Sequence, residues 1–231
     1  MFTQTGLAAL FSPADLAALT LYAASWGLIE LLVRPRKGPA VSTGEIMARW
    51  RHAWFEAVAQ RDNRILDGQL LASMRSGTAL YVSGSLIALG GGIAMIGQAD
   101  QVASVATDLA ATPAAPRQAW TLKLLLVIAV LAAAFLHFVW AHRVFGYCSV
   151  MLGAIPTDGS EEALRVAARA ARLNVRAARS FNKGLRAVYL ARTALAWLRG
   201  PLALALATTV TFWVLYRREF LSGTRAALLE E

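Results

Sequence analysis

Four stretches of this chain are almost free of charge over lengths that water-facing helices rarely sustain. Between Trp120 and His142 the one formal charge is Lys123, Ser76–Gly97 has none, Leu195–Tyr216 has Arg199, and Ala14–Val33 has Asp15 and Glu30 near its ends. A helix needs about 20 mostly apolar residues to cross the roughly 30 Å hydrocarbon layer, and each stretch meets or approaches that demand. Composition agrees, with 57% apolar and 16% charged residues against about 45–50% and about 25% in soluble domains. The lone Cys148 excludes a disulfide framework and a Cys-based zinc site. The expected fold is all-α: a four-span transmembrane helix bundle, one integral membrane domain over 1–231, with long cytoplasmic helical extensions at about 43–75 and 160–194.

The first stretch is not a cleavable signal peptide of the usual kind, because no Lys or Arg precedes it. Ser12, Pro13 and Asp15 instead form helix-entry chemistry, which makes Asp15 a cap rather than an intramembrane acid. The 23 basic residues are unevenly spread, with eight in 34–75 and ten in 143–199. Arg117 and Lys123 lie between the second and third spans, and Arg217, Arg218 and Arg225 follow the fourth. Basic segments stay in the cytoplasm, so the expected location is a bacterial cytoplasmic membrane with both termini outside.

Segment 34–75 opens with Pro35 and a Gly38-Pro39 turn. Ser42-Thr43-Gly44-Glu45 then has the form of a capping box. No proline follows before the second span, so the pattern predicts one helix from about Thr43 into the membrane, bent near Gly68 or Gly77. The second segment opens with Pro156-Thr157-Asp158-Gly159-Ser160 and two glutamates, another helix start. Arg165, Arg169, Arg172, Arg176, Arg179, Lys183 and Arg186 follow at alternating steps of four and three, which places them on one helical stripe. Ala167, Ala168, Ala170, Ala171, Ala177 and Ala178 leave room for a close neighbouring helix, and the helix should continue through Leu185, Val188 and Tyr189 toward the fourth span. Arg61–Leu66 before the second span echoes Ser180–Leu185 before the fourth, which suggests a weak parallel repeat.

Three separated motifs carry a family resemblance: Arg61-Asp62-Asn63-Arg64-Ile65-Leu66-Asp67, Phe181-Asn182-Lys183-Gly184-Leu185-Arg186-Ala187-Val188-Tyr189, and Tyr216-Arg217-Arg218-Glu219-Phe220. With them the chain, from about Ser12 to Ser222, resembles a bacterial and plant membrane family, domain of unknown function five-nine-nine. The resemblance implies an uncharacterised four-span integral membrane protein and supplies no activity, substrate or catalytic residue.

Several constellations have functional readings beside structural ones. Arg61, Asp62, Asn63, Arg64, Asp67 and Gln69 are expected to join Asn182 in a buried polar network that docks the halves, or to form a vestibule at a cytoplasmic mouth. Arg64 and Asn63 are each spaced to meet Asp67. Gly84, Ala88 and Gly92 recur every fourth residue, which predicts that the second span is central and closely packed. Glu30, Lys123 and Arg199 sit near span ends, where long side chains reach the interface. The Gly200-Pro201 pair after Arg199 predicts a kink. His137 and His142 are five apart and do not make a two-His metal pair. The loop Gln98–Arg117 reads as having a short helix or none.

The basic stripe fits anionic lipid or an acidic partner protein. Nucleic acid is not expected, since Arg165–Arg179 lacks aromatic residues for base stacking. No Walker loop, H-E-x-x-H, G-x-S-x-G or C-x-x-C occurs, so no catalytic residue, metal or cofactor is assigned. The expectation is a non-enzymatic membrane scaffold or accessory subunit that contacts lipid and associates with itself or a membrane complex. The alternative is an oligomeric ion channel or small-solute transporter.

Overall fold

The computed structural model describes residues 10–35, 41–101, 104 and 116–229. The Gly38-Pro39 turn, Arg36, Lys37 and most of the loop 98–117 lie outside the described residues. Ser12 caps α1 (Pro13–Leu32) in a complete capping box with Asp15 and has Pro13 in the first turn, as its local chemistry demands. Ser42 caps α2 (Thr43–Ala59) by accepting from the Glu45 N–H. Three long helices follow: α3 (Ile65–Gly97), α4 (Arg117–Gly153) and α5 (Glu161–Leu195). A 3-10 turn (Ala196–Arg199), α6 (Pro201–Phe220) and a short α7 (Gly223–Ala227) complete an all-α chain. Among the described residues, α1, α3 and α4 are long and apolar enough to cross a membrane. Helix α6 is 20 residues long but ends in Arg217 and Arg218.

The helix expected to run unbroken from Thr43 into the second span is divided. Gln60–Arg64 separates α2 from α3, and Asn63 turns its side-chain oxygen to the Ile65 N–H. Asn favours such local bonds over helix continuation, which starts a new helix without a proline. Gly68 and Gly77, the expected bends, lie inside α3.

The chain forms two compact units. The second unit, residues 35–85, 134–185 and 219–231, contains α2, α7 and parts of α3, α4, α5 and α6. Its core gathers Phe55 and Val58 of α2, Leu71 of α3, Phe145, Cys148 and Leu152 of α4, and Ala163, Ala167, Ala170, Ala171 and Ala177 of α5. The alanine face of α5 is therefore its buried face. Tyr81, Phe138 and Phe181 meet with ring centroids 5.1–5.5 Å apart. A side chain at Gly184 would start 2.6 Å from the Phe138 ring, so glycine is required for this approach.

The first unit, residues 1–34, 86–133 and 186–218, contains α1 and parts of the other long helices and α6. One end is marked by Asp15, Trp120, Lys123 and Trp197, for Trp197 donates to Asp15 at 2.7 Å and Lys123 lies over both indoles. The other end is marked by Glu30 against Arg186 and by Arg218 against Tyr189. Between them Tyr22 donates to the Leu190 carbonyl, and Thr193 bonds Thr211.

These contacts overturn the direction expected for the last span. Gly200 has φ +113°, a conformation glycine permits, and the chain reverses there instead of kinking. Helix α6 consequently starts at Pro201, not Leu195, and runs back alongside α5. The start of α1 and the finish of α6 lie at opposite ends of the first unit. The repeat fares no better. Arg61–Leu66 spans a turn and a helix start, whereas Ser180–Leu185 lies inside α5.

Helix α3 is not central within the chain. Gly84 and Ala88 are exposed, and only Gly92 meets a neighbour, its Cβ position lying 3.0 Å from Ile128. The side buried from α3 is the stripe of Asp67, Leu71, Thr78 and Ser85, spaced one or two turns apart and turned away from Gly84 and Ala88.

Candidate functional site

Helix α5 presents the most pronounced charged surface. Arg165, Arg169, Arg172, Arg176, Arg179 and Lys183 are all exposed, opposite the buried alanines, in a line about 27 Å long at 1.5 Å per residue. Arg165 pairs with Glu161 and Glu162, and Arg179 with Glu45 at 2.9 Å. Arg169, Arg172, Arg176 and Lys183 make no ion pair among the described residues. Arg186 departs from the expected stripe. Its side chain is 7% exposed and its Nε donates to Glu30 at 2.8 Å, so it is a buried partner of α1 and not a contact for lipid.

The expected polar network divides into separate contacts. The Asp67 side chain is 1% exposed and accepts from Trp54 Nε1 at 2.7 Å and from Arg61 at 2.8 Å through one oxygen. Its other oxygen is buried without a hydrogen-bond partner. The expected Arg64–Asp67 and Asn63–Asp67 pairs do not form. Arg64 instead donates to the carbonyls of Val58, Arg61, Ile155 and Pro156. One guanidinium thus ties the end of α2 to the turn between α4 and α5, using its fixed fork of donors on carbonyls that helix ends leave free. Asp62, Asn63 and Gln69 are exposed.

Asn182 lies elsewhere, because α5 takes it roughly 30 Å along the helix from Ile155 and Pro156. Its amide is 3.8 Å from the Cβ position of Gly44. There Thr43 donates to the Glu219 carbonyl, Gly44 N–H to the Glu219 carboxylate and Arg225 to the Val41 carbonyl. A carboxylate at the start of α2 suits the positive helix end. The fragment Tyr216–Phe220 therefore latches the N-terminus of α2 through Glu219, a partnership across 175 residues that no local spacing announces.

The sequence reading also missed a buried polar chain in the second unit. Arg51 donates to Asn174, and Asn174 donates to the Cys148 sulfur at 3.7 Å. Burial lowers the pKa of the Arg51 guanidinium from its ordinary value. Lys123, expected to reach the interface, is buried with its ammonium 4.9 Å and 5.4 Å from the Trp120 and Trp197 ring centres. Glu30 is held by Arg186, while Arg199 is exposed. His142 lies against the Arg75 carbonyl. No group of three or more His, Cys, Asp or Glu able to hold a metal occurs among the described residues.

Three helices long and apolar enough to cross a membrane are consistent with the class of α-helical membrane proteins. Within that class the chain belongs to the family described as Protein of unknown function, DUF599, which matches residues 16–224. No curated protein and no solved structure matches the chain.

Proposed function

We propose that this protein is a non-enzymatic membrane scaffold or accessory subunit whose exposed cationic face on α5 docks an acidic surface of a partner protein. The observation that carries the proposal is the line of six exposed cations, four of them without an acidic partner among the described residues.

In the proposed placement α1, α3, α4 and α6 cross the bilayer of a bacterial cytoplasmic membrane, and Arg186–Trp197 of α5 adds a fifth embedded segment. The N-terminal side is outside and the C-terminal side inside. The charge pattern supports this, since Arg217, Arg218 and Arg225 join the basic side and only Arg117, Lys123 and Arg199 remain at the outer end. Self-association fits the exposed Gly84–Ala88 face of α3, where small residues let a second helix approach in lipid.

The test is native mass measurement of the full chain in mild detergent with retained lipid, alongside cross-linking in intact cells. Assemblies larger than the monomer are expected. Cross-links from the α5 face are expected to vanish in the Arg169→Glu, Arg172→Glu, Arg176→Glu triple variant. A lone monomer, with cross-links indifferent to these changes, defeats the proposal. Selective flux of an ion or solute through reconstituted liposomes would replace it with a channel or transporter.

A further inference from the structure

We infer that the partner seated on the cationic face of α5 is an acidic α-helix, lying along the face with a carboxylate opposite each unpaired cation. Between Arg165 and Lys183 every exposed residue of α5 is one of the six cations. They take five steps over 18 residues, which is the α-helical period itself, so the row runs straight along the helix with one charge about every 5.4 Å. Carboxylates set four and three residues apart on a second helix rise at the same rate and stay in register along the whole row. Same-face residues of an extended strand are about 6.6–6.8 Å apart, so a strand is half a spacing out after two steps.

Helix α2 already makes such a contact. Its Glu45 reaches across to Arg179 at 2.9 Å. The two helices run antiparallel, since Glu45 meets Arg179 and, further along α2, Arg51 meets Asn174. Arg49 and His52 follow Glu45 on the same side of α2 and are exposed, so α2 brings no carboxylate toward Arg176 or Arg172. Arg49, Arg169, Arg172, Arg176 and Lys183 make no hydrogen bond, ion pair or ring contact among the described residues. The next carboxylates in register must therefore come from another chain. The inference rests on the docking role proposed for this face and adds the form of the partner.

The experiment measures binding of labelled peptides to the full chain in detergent by fluorescence anisotropy. The probe is an alanine-based peptide of about 22 residues, enough to span the row, with six glutamates at alternating steps of four and three. Its isomer has the same composition with a glutamate at every second position. An exposed ion pair is worth up to about fivefold in affinity, so the helix-spaced peptide is expected to bind about tenfold more tightly than the isomer. Arg172→Glu with Arg176→Glu should weaken it at least tenfold, and should favour a version of the peptide with lysine at its two middle acidic positions. Equal binding of the two isomers overturns the inference, because the face then reads net charge alone. Failure of the charge swap overturns it too, as does binding of neither peptide. Full displacement of the peptide by phosphatidylglycerol doped into the micelles would assign the face to lipid instead. The docking role fails separately, when cross-links from the α5 face in cells survive the triple charge reversal described above.

Discussion

Arg186 and Glu30 form a buried ion pair at 2.8 Å across 156 residues of sequence. Removing one partner leaves the other charge stranded, at a cost of about 3–5 kcal/mol for a fully buried pair and less here, since Glu30 keeps some exposure. Arg186→Gln is therefore expected to lower the unfolding temperature in detergent clearly. Replacing the pair together, Glu30→Leu with Arg186→Met, should recover most of the loss. Equal damage from the single and double variants would show that the charge pairing is not what matters.

Gly184 and Gly84 make a contrasting pair. Gly184→Ala drives a methyl into the Phe138 ring and should cost about 1–3 kcal/mol, read as a lower unfolding midpoint. Gly84 has nothing within 4 Å of its Cβ position, so Gly84→Ala should leave the monomer unharmed or stabilise it by up to about 1 kcal/mol. Gly84→Leu should shift any self-assembly toward monomer in native mass spectra without lowering the unfolding midpoint.

Arg64 holds four carbonyl oxygens, and a lysine cannot reproduce its planar fork. Arg64→Lys and Arg64→Ala should each destabilise the second unit by roughly 1.5–3 kcal/mol. Limited proteolysis should then cut first at the turn between α4 and α5, near Ile155–Gly159.

The thiol of Cys148 is buried, so maleimide should leave the folded protein unlabelled until denaturant is added. In a Cys148→Ser background, Arg172→Cys should be labelled only from the inside of sealed cells, and Arg199→Cys only from the outside. A tag after residue 231 is expected inside. An outside tag would restore the arrangement in which both ends share one face.

What the sequence made legible was local. The apolar runs, the Ser12–Asp15 box and the caps at Ser42 and Ser160 act over three or four residues and appear where spacing predicts. The basic and alanine faces of α5 follow from a single period. The direction of α6 was hidden because a kink and a reversal share the same Gly200-Pro201 signal, and only the φ of Gly200 with the return contacts to α5 separates them. Arg186 has the same spacing as its exposed neighbours, and Glu30, which sets it apart, is far away in the chain. Likewise Glu219 at the start of α2 and Arg64 on the Ile155 and Pro156 carbonyls are long-range partnerships, beyond what periodicity can report. The small residues of α3 were read as close packing within the chain or across an oligomer, and within the chain Gly84 and Ala88 are open.

The reversal at Gly200 has a consequence for biogenesis under the proposed placement. The final third of α5 contains Arg186 and Arg192, and a segment so polar partitions poorly into lipid by itself. It must therefore be carried in as one arm of a helical hairpin, with the translocon releasing it only when α6 has emerged and Glu30 of α1 is already waiting to neutralise Arg186. Truncation just before Pro201 should then strand the preceding arm at the membrane surface and send the nascent chain to quality-control proteolysis.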